Sequence, residues 1–119
     1  MEADILKMEN KVKKFCEERD WDQYHSPKEL AIGLSTEANE LLDLFRFKTD
    51  QQMKDMMKDL KKRERISEEL SDVFFFLLRF SKMYEFDLSA WLEDKIRRKG
   101  EKYPADKAKG SNNKYNEYA

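Results

Sequence analysis

Four carboxylates of this sequence fall where the helical pattern around them is apolar. They form two pairs, Glu37 with Glu40 and Glu69 with Asp72, and the members of each pair are three positions apart. A spacing of i, i+3 puts both side chains of a pair on one face of a helix. On a helical wheel with Leu30 at zero, Glu37 falls at about 340°, inside the apolar arc, and Glu40 at about 280°, at its edge. The same construction puts Glu69 between two phenylalanines, so both pairs point toward apolar faces.

The chemistry that these acids would support is the binding of hard divalent cations. If the two helices pack against each other, the carboxylates converge, and mutual repulsion together with desolvation would force several of them to protonate. Bound cations remove that cost, and all-oxygen ligation without His or Cys suits Mg²⁺, with Mn²⁺ as the alternative. The sequence therefore predicts a metal site made of Glu37, Glu40, Glu69 and Asp72.

Two other interpretations of the acids stay open at this point. The chain has 24 Lys and Arg residues, and these can hold the carboxylates in ion pairs. A di-iron carboxylate bundle also takes acids from facing helices, but it uses Glu-x-x-His pairs, and the only histidine, His25, lies outside both long helices. The sequence contains no Gly-rich phosphate loop and no G-x-S-x-G elbow.

The elements that must position these acids are helices, because no run of residues alternates with period two between turn residues. Ser26 and Pro27 are typical of a helix start, with Ser26 as the N-cap and Pro27 at the first helical position. Residues 73–78 (VFFFLL) are apolar almost all round, which predicts the central helix of the fold. The expected fold class is all-α, a compact bundle of about four to five helices. They cover residues 3–19, 27–48, 51–60, 64–85 and, after a cap at Asp87 or Ser89, the residues up to Gly100.

Composition limits the size of the core. Of the 119 residues, 41% are charged and 39% are hydrophobic. That is enough for one domain, but the core must be narrow or shared with another subunit. We expect residues 1–100 to form the bundle and residues 101–119 to form a basic C-terminal arm, which either becomes ordered on a ligand or stays a disordered tail.

Charge is distributed unevenly along the chain. Between Lys95 and Lys114, eight basic residues stand against two acidic ones, a net charge of +6 against −7 for the rest. An acidic body repels a phosphate backbone unless bound cations intervene. No stretch is apolar enough to cross a bilayer, and the single Cys16 excludes an intramolecular disulfide. We therefore expect a soluble, cytoplasmic protein without membrane contacts.

Several motifs resemble those of the MazG-like all-α nucleoside triphosphate pyrophosphohydrolases. The E-x-x-E of residues 37–40, followed by the E-x-x-D of residues 69–72, is similar to the signature of that family. The resemblance is strongest to its dCTP pyrophosphatase branch and extends from Phe15 to Tyr115. It is carried by residues 19–27 (RDWDQYHSP), 40–45 (ELLDLF), 102–105 (KYPA) and 114–115 (KY).

The resemblance implies a Mg²⁺-dependent hydrolase that cuts a dNTP, with dCTP as the candidate, between its α- and β-phosphates and so clears unwanted nucleotides. It also implies a homodimer or a homotetramer. Glu37 or Glu40 would take the proton from the attacking water. The phosphates would be bound by four basic residues, Lys95, Arg98, Lys99 and Lys102. The base would be bound by three aromatic residues and a histidine, Trp21, Phe47, Phe76 and His25. Core packing remains an alternative role for Phe76, and a structural hydrogen bond remains one for His25.

Two functions of other classes also remain open. A non-enzymatic helical interaction module would keep the acids in ion pairs and would gain no stability from divalent metal. A nucleic-acid-binding protein would use the basic residues 95–114 and would lose affinity steeply with salt. Only Tyr103 and Tyr115 offer rings for base stacking in that segment, so we do not expect nucleic acid as a partner.

Overall fold

The computed structural model describes residues 2–112, and these residues form helices and connections without a β-strand. This confirms the all-α fold class. The six α-helices are α1 (Glu2–Glu18), α2 (Pro27–Phe45), α3 (Asp50–Met56), α4 (Leu60–Met83), α5 (Leu88–Lys102) and α6 (Ala105–Ala108), and a 3-10 helix spans Asp22–Tyr24. The number exceeds the predicted four to five because α6, a single turn, lies in the segment that was predicted as an arm. Residues 113–119 of that predicted arm lie outside the described part of the chain.

The start of α2 follows the predicted capping chemistry. The Ser26 side chain accepts a hydrogen bond from the Glu29 backbone N–H, and Pro27 occupies the first turn. The helix ends at Phe45, three residues before the predicted end. Arg46 has an extended backbone and Phe47 a left-handed one, with φ of 63°, so the chain cannot continue as a helix there.

The boundaries of α3 and α4 depend on two further caps. Thr49 forms a capping box with Gln52, in which each side chain bonds the other residue's backbone N–H. The Asp59 carboxylate accepts from the Lys62 N–H, and α4 therefore begins at Leu60 rather than at residue 64. An N-cap two residues before a charged run extends the helix through that run.

The chain divides into two compact units, one that ends at Phe86 and one that begins at Asp87. In the first unit, α4 packs against both α2 and α1, which confirms its central place. Its buried apolar side chains, among the residues described, are Cys16, Leu30, Met56, Ile66 and Leu78. The core is thin, as the composition predicted.

One face of α4 stays partly uncovered. Leu70, Phe74 and Leu77 are 51%, 39% and 39% exposed, and their spacing of four and three residues places them in one line along the helix. We call these three residues the α4 stripe. The run 73–78 is therefore not buried all round within a single chain.

A close approach between α2 and α4 depends on Gly33. A Cβ atom at this position would lie 2.6 Å from Cζ and 2.8 Å from Cδ1 of Phe76, distances that real Cβ contacts essentially never show. The missing side chain gives the Phe76 ring its place against α2. The contact lies one helical turn from Glu37 along α2 and one turn from Asp72 along α4.

The second unit contains α5 and α6. Asp87, one of the two predicted caps, accepts a hydrogen bond from the Ala90 N–H at the start of α5. The helix continues past Gly100 to Lys102, and Tyr103 and Pro104 follow its end. No helix within residues 2–112 combines the length and the apolar character that crossing a membrane requires.

Candidate active site

Three of the four predicted acids come together between α2 and α4. Glu37 and Glu40 on α2 and Glu69 on α4 each offer a carboxylate oxygen, and these oxygens lie within 4.8 Å of one another. We call these three residues the acidic cluster. Asp72, one turn beyond Glu69, is exposed. It is not in that group, but its charge reaches both Glu37 and Glu69.

Two oxygens of the acidic cluster are buried without a hydrogen-bond partner. They are Oε2 of Glu37 and Oε2 of Glu69, and the whole Glu69 residue is only 3% exposed. Buried polar atoms are almost always paired in folded proteins, and a carboxylate oxygen accepts but does not donate when it is ionised. Two buried oxygens of this kind are suited to bind an electron-pair acceptor.

The acids repel one another when no cation lies among them. Burial, hydrogen bonding with the Glu40 carboxyl and the charges of Glu40, Asp72 and Glu69 raise the pKa of Glu37 to about 7. Burial and the same Glu40 carboxyl also raise the pKa of Glu69, against the opposing charge of Arg65. The protonated forms are favoured because two or more anions cannot share a desolvated space.

Ion pairing accounts for only a small part of this arrangement. One oxygen of the cluster has a basic partner: the Arg65 guanidinium lies 3.1 Å from Oε1 of Glu69. Within residues 2–112, no Lys or Arg forms an ion pair with Glu37, Glu40 or Asp72. The donor set is entirely oxygen, two of its atoms are unpaired, and its charge is strongly negative, so the residues fit a hard divalent cation.

A row of aromatic rings leads away from the acidic cluster. Phe76, seated against Gly33, meets Phe75 edge-to-face with ring centroids 5.5 Å apart. Phe75 meets Phe15 at 6.1 Å, and Phe15 meets Trp21 at 5.6 Å. Trp21 and Phe76, two of the residues that the resemblance assigns to a base, are thus the ends of one continuous row.

The other two residues assigned to the base have different surroundings. Phe47 is 87% exposed, and the Arg46 guanidinium lies over its ring at 4.7 Å. The His25 Nδ1 accepts a hydrogen bond of 2.9 Å from Arg79 Nε, and its ring centroid lies 6.2 Å from that of Trp21. Burial and the nearby positive charge of Arg79 lower the pKa of His25.

Arg79 is the residue that the sequence analysis missed. It is 2% exposed, and besides the bond to His25 it forms an ion pair with Asp22. The sequence did contain one signal that Arg79 is buried: it is a single arginine between the apolar run 73–78 and Phe80. A charge in such a place needs a partner.

The four predicted phosphate-binding residues lie on α5, in the second unit. Lys95, Arg98, Lys99 and Lys102 follow one another at spacings of three, one and three, which forms one helix face. Arg98 is bonded to Asp94, whereas Lys95 and Lys99 take part in no ion pair with the residues described. These two lysines are therefore available to an anion.

Comparison with known proteins shows which family this chain resembles. A sequence profile described as the MazG-like family matches residues 32–118. Human dCTP pyrophosphatase 1 is 36% identical over 103 residues, which cover 87% of this chain and 61% of the human protein. Rat dCTP pyrophosphatase 1 is 35% identical over 101 residues, covering 85% and 59%. The chain thus spans about three fifths of the length of these curated relatives.

A solved structure shares the fold. The crystal structure of a pyrophosphatase from Archaeoglobus fulgidus superposes with a TM-score of 0.77 at 26% sequence identity. The match covers 82% of this chain and 90% of the archaeal one.

Proposed function

Because the chain belongs to the MazG-like family, we propose that it is a nucleoside triphosphate pyrophosphohydrolase. It cleaves a dNTP between the α- and β-phosphates and releases the monophosphate and pyrophosphate. The observation that carries this proposal is the acidic cluster with its two unpaired, buried carboxylate oxygens. The curated relatives are named for dCTP, which makes dCTP the first substrate to test.

The proposed metal ligands are Glu37, Glu40 and Glu69, with Asp72 as a fourth acid at the edge of the cluster. Mg²⁺ is the proposed ion, and Mn²⁺ is the alternative with the same oxygen preference. A bound ion of this kind would neutralise phosphate oxygens and lower the pKa of a water molecule. Glu69 is held by Arg65 through one oxygen, which leaves the other free for the ion.

The proton of the attacking water goes to a glutamate of α2. Glu37 or Glu40 takes it as the water oxygen forms its bond to phosphorus and the bond to the bridging oxygen breaks, with pyrophosphate as the leaving group. A base is most effective when its pKa lies near the working pH. In the metal-free protein, burial, hydrogen bonding with the Glu40 carboxyl and the neighbouring negative charges bring the pKa of Glu37 to about 7.

The remaining residues bind the two ends of the nucleotide. Lys95, Arg98, Lys99 and Lys102 neutralise the triphosphate, with Arg98 able to bind two oxygens at once and the lysines acting as point charges. The base is held by stacking on aromatic rings: Trp21, Phe76 and Phe47, with His25 beside Trp21.

The active protein is a homo-oligomer, a homodimer or a homotetramer, and it works on the cytoplasmic nucleotide pool. The support is the α4 stripe, because a second copy of the chain would cover Leu70, Phe74 and Leu77 and would widen the thin core. The alternative function is a helical interaction module without catalysis. The ion pair of Arg65 with Glu69 is the one observation in its favour.

The test is product analysis with matched variants. The purified protein is incubated with Mg²⁺ and a panel of canonical and modified dNTPs, alongside the double variant Glu37→Gln, Glu69→Gln. The control is Glu68→Gln, an exposed acid on the same helix. Monophosphate and pyrophosphate from the parent and the control, but not from the double variant, are expected. No turnover of any nucleotide with Mg²⁺ or Mn²⁺ would refute the proposal in favour of the interaction module.

A further inference from the structure

A buried arginine connects the central helix to the segment that carries Trp21. Arg79 lies on α4, is 2% exposed, and directs its guanidinium to Asp22 Oδ1 and, through Nε, to Nδ1 of His25 at 2.9 Å. Desolvating a guanidinium is costly, and breaking such a pair leaves a buried charge without a partner. The position of Asp22 and His25 is therefore strongly coupled to Arg79.

A second contact from α4 holds the same segment. The Tyr84 hydroxyl donates a hydrogen bond of 2.6 Å to the His25 carbonyl oxygen. Among residues 2–86, every side-chain hydrogen bond that joins positions more than six apart connects α4 or its C-cap Tyr84 with residues 22–25. These long-range hydrogen bonds therefore all reach one short segment, residues 22–25. We call the two bonds of Arg79 and the one bond of Tyr84 to this segment the α4 latch.

Trp21 directly adjoins the segment that the α4 latch holds. Trp21 directly precedes Asp22, and its backbone N–H is bonded to the Cys16 carbonyl on the other side. Its ring rests on Phe15 and lies 6.2 Å from the His25 ring, yet it remains 38% exposed. An aromatic ring that packs against neighbouring rings and stays partly exposed is suited to stack on a flat ligand.

We propose that Arg79 is a positioning residue for the nucleobase, which acts by holding Asp22 and His25 so that the Trp21 ring is presented at a fixed place. This inference rests on the proposed function, because it takes the ligand to be the base of a nucleoside triphosphate. Arg79 touches neither the acidic cluster nor the phosphates in this assignment. It contributes to which base is bound and how tightly, and not to the cleavage step.

The experiment uses three variants that loosen the latch to different degrees. Arg79→Lys keeps the charge but loses the planar fork, Asp22→Asn removes the ionic partner, and Tyr84→Phe removes only the hydroxyl. All are made with Trp91→Phe, which leaves Trp21 as the single tryptophan of the two in the chain. Acrylamide quenching and fluorescence anisotropy then report the exposure and the mobility of Trp21.

The expected result separates binding from chemistry. For the preferred dNTP, KM rises about tenfold in Arg79→Lys and in Asp22→Asn, the loss of one well-placed contact. The kcat stays within about twofold, since the groups at the phosphates are intact. Discrimination between bases falls by a similar factor, and Trp21 becomes more accessible and more mobile. Lys14→Gln, which removes an exposed ion pair on α1, is the control and changes none of these values.

Each other outcome contradicts the inference. A variant that lowers the melting temperature but leaves KM, base preference and Trp21 mobility unchanged would show that Arg79 is structural only. A fall in kcat at constant KM would place Arg79 in the cleavage step. If Arg79→Lys does not fold, Tyr84→Phe decides between the outcomes. Absence of turnover in both the unsubstituted protein and the Trp91→Phe parent refutes the proposed function instead, and the fluorescence of Trp21 still tests the latch.

Discussion

Glu69 is the most informative single residue of the acidic cluster. It is almost completely buried, one of its oxygens binds Arg65, and the other has no partner. A salt bridge alone would be served by an exposed glutamate, as it is elsewhere on this surface. The proposed cation would account for the burial of a half-paired carboxylate beside two others.

The first prediction concerns metal-induced stabilisation. Mg²⁺ raises the melting temperature of the parent, and at a concentration a hundredfold above its Kd the gain is about 2.7 kcal/mol. Glu69→Gln abolishes this rise because the substitution replaces one carboxylate oxygen with an amide nitrogen and removes the negative charge of the side chain. Differential scanning fluorimetry with and without Mg²⁺ measures it, with Glu68→Gln as the control that keeps the parental rise. An equal rise in Glu69→Gln would remove this residue from the metal site.

The second prediction concerns pH in the presence of EDTA. The pKa of Glu37 is about 7 in the folded protein and about 4.5 in the unfolded chain, so the folded state binds more protons between these values. Stability therefore falls as pH rises from about 4.5 through about 7, and the raised pKa of Glu69 acts in the same direction. Urea unfolding at several pH values measures the slope, which flattens in Glu37→Gln. Identical slopes in parent and variant would contradict this assignment.

The direction of the acidic side chains could be predicted from the sequence, but their partners could not. Helical periodicity identifies which side chains share a face, so the inward direction of Glu37 and Glu69 follows from the order of residues alone. The partner of each buried group does not, because Arg65 is four residues from Glu69 whereas Arg79 reaches Asp22 and His25 across 57 and 54 positions. Periodicity carries no information on contacts of that range.

At the level of the helices, local capping explains the boundaries that could be predicted. Ser26, the predicted cap of α2, and Asp87, one of the two predicted caps of α5, form the side-chain bonds that the sequence indicated. The early start of α4 was not predicted, because residues 60–63 are mostly charged and lack the apolar periodicity of the rest of the helix. The close contact of α2 with α4 could not be predicted, since a glycine within a helix does not indicate which ring it faces.

The third prediction tests that contact. Gly33→Ala puts a methyl group against the Phe76 ring, and overpacking of this kind costs about 1–3 kcal/mol. The better helix propensity of alanine returns about 0.5–1 kcal/mol, which leaves a net loss of about 1 kcal/mol. Urea unfolding measures the change, and the loss shrinks when Gly33→Ala is combined with Phe76→Leu. A loss of the same size in both backgrounds would mean that the ring is not the obstacle.

The fourth prediction concerns the basic face of α5. Lys95→Gln with Lys99→Gln raises KM for the nucleotide, because these lysines form no ion pair with the residues that the structure describes, and leaves the metal-induced rise in melting temperature unchanged. Steady-state kinetics at low and moderate salt measures the effect, which decreases as salt screens the charges. Arg97→Gln is the matched control, since Arg97 is already bonded to Asp94 and Glu101. An unchanged KM in the double variant would exclude these lysines from phosphate binding.

At the scale of the whole molecule, the main feature is a small core beside an exposed apolar stripe. A chain with 41% charged residues was expected to have a small core, and the first unit buries few apolar side chains while the α4 stripe stays exposed. Composition gives the amount of apolar surface available, but it does not say which face of a helix is left uncovered. That choice depends on how α1 and α2 pack against α4, which is a matter of tertiary contacts.

The fifth prediction concerns assembly. Phe74→Glu places a charge in the middle of the α4 stripe and converts the oligomer into a smaller species, because a buried carboxylate without a partner is costly. Sedimentation velocity over a range of protein concentrations measures the mass. Lys61→Glu, an exposed charge reversal on the same helix, keeps the parental mass. A parent that is monomeric at all concentrations would contradict the proposed homo-oligomer.

The α4 latch also has a consequence for how the protein is made. Its bonds join residues 54 to 59 positions apart, and contacts of that separation form only after a long loop has closed. During translation, residues 22–25 leave the ribosome well before Arg79 and Tyr84, so Trp21 is synthesised long before the groups that fix it. Each pair of acids, by contrast, is aligned as soon as its own helix forms. The surface that we propose to contact the base is therefore completed only after Arg79 and Tyr84 have been synthesised.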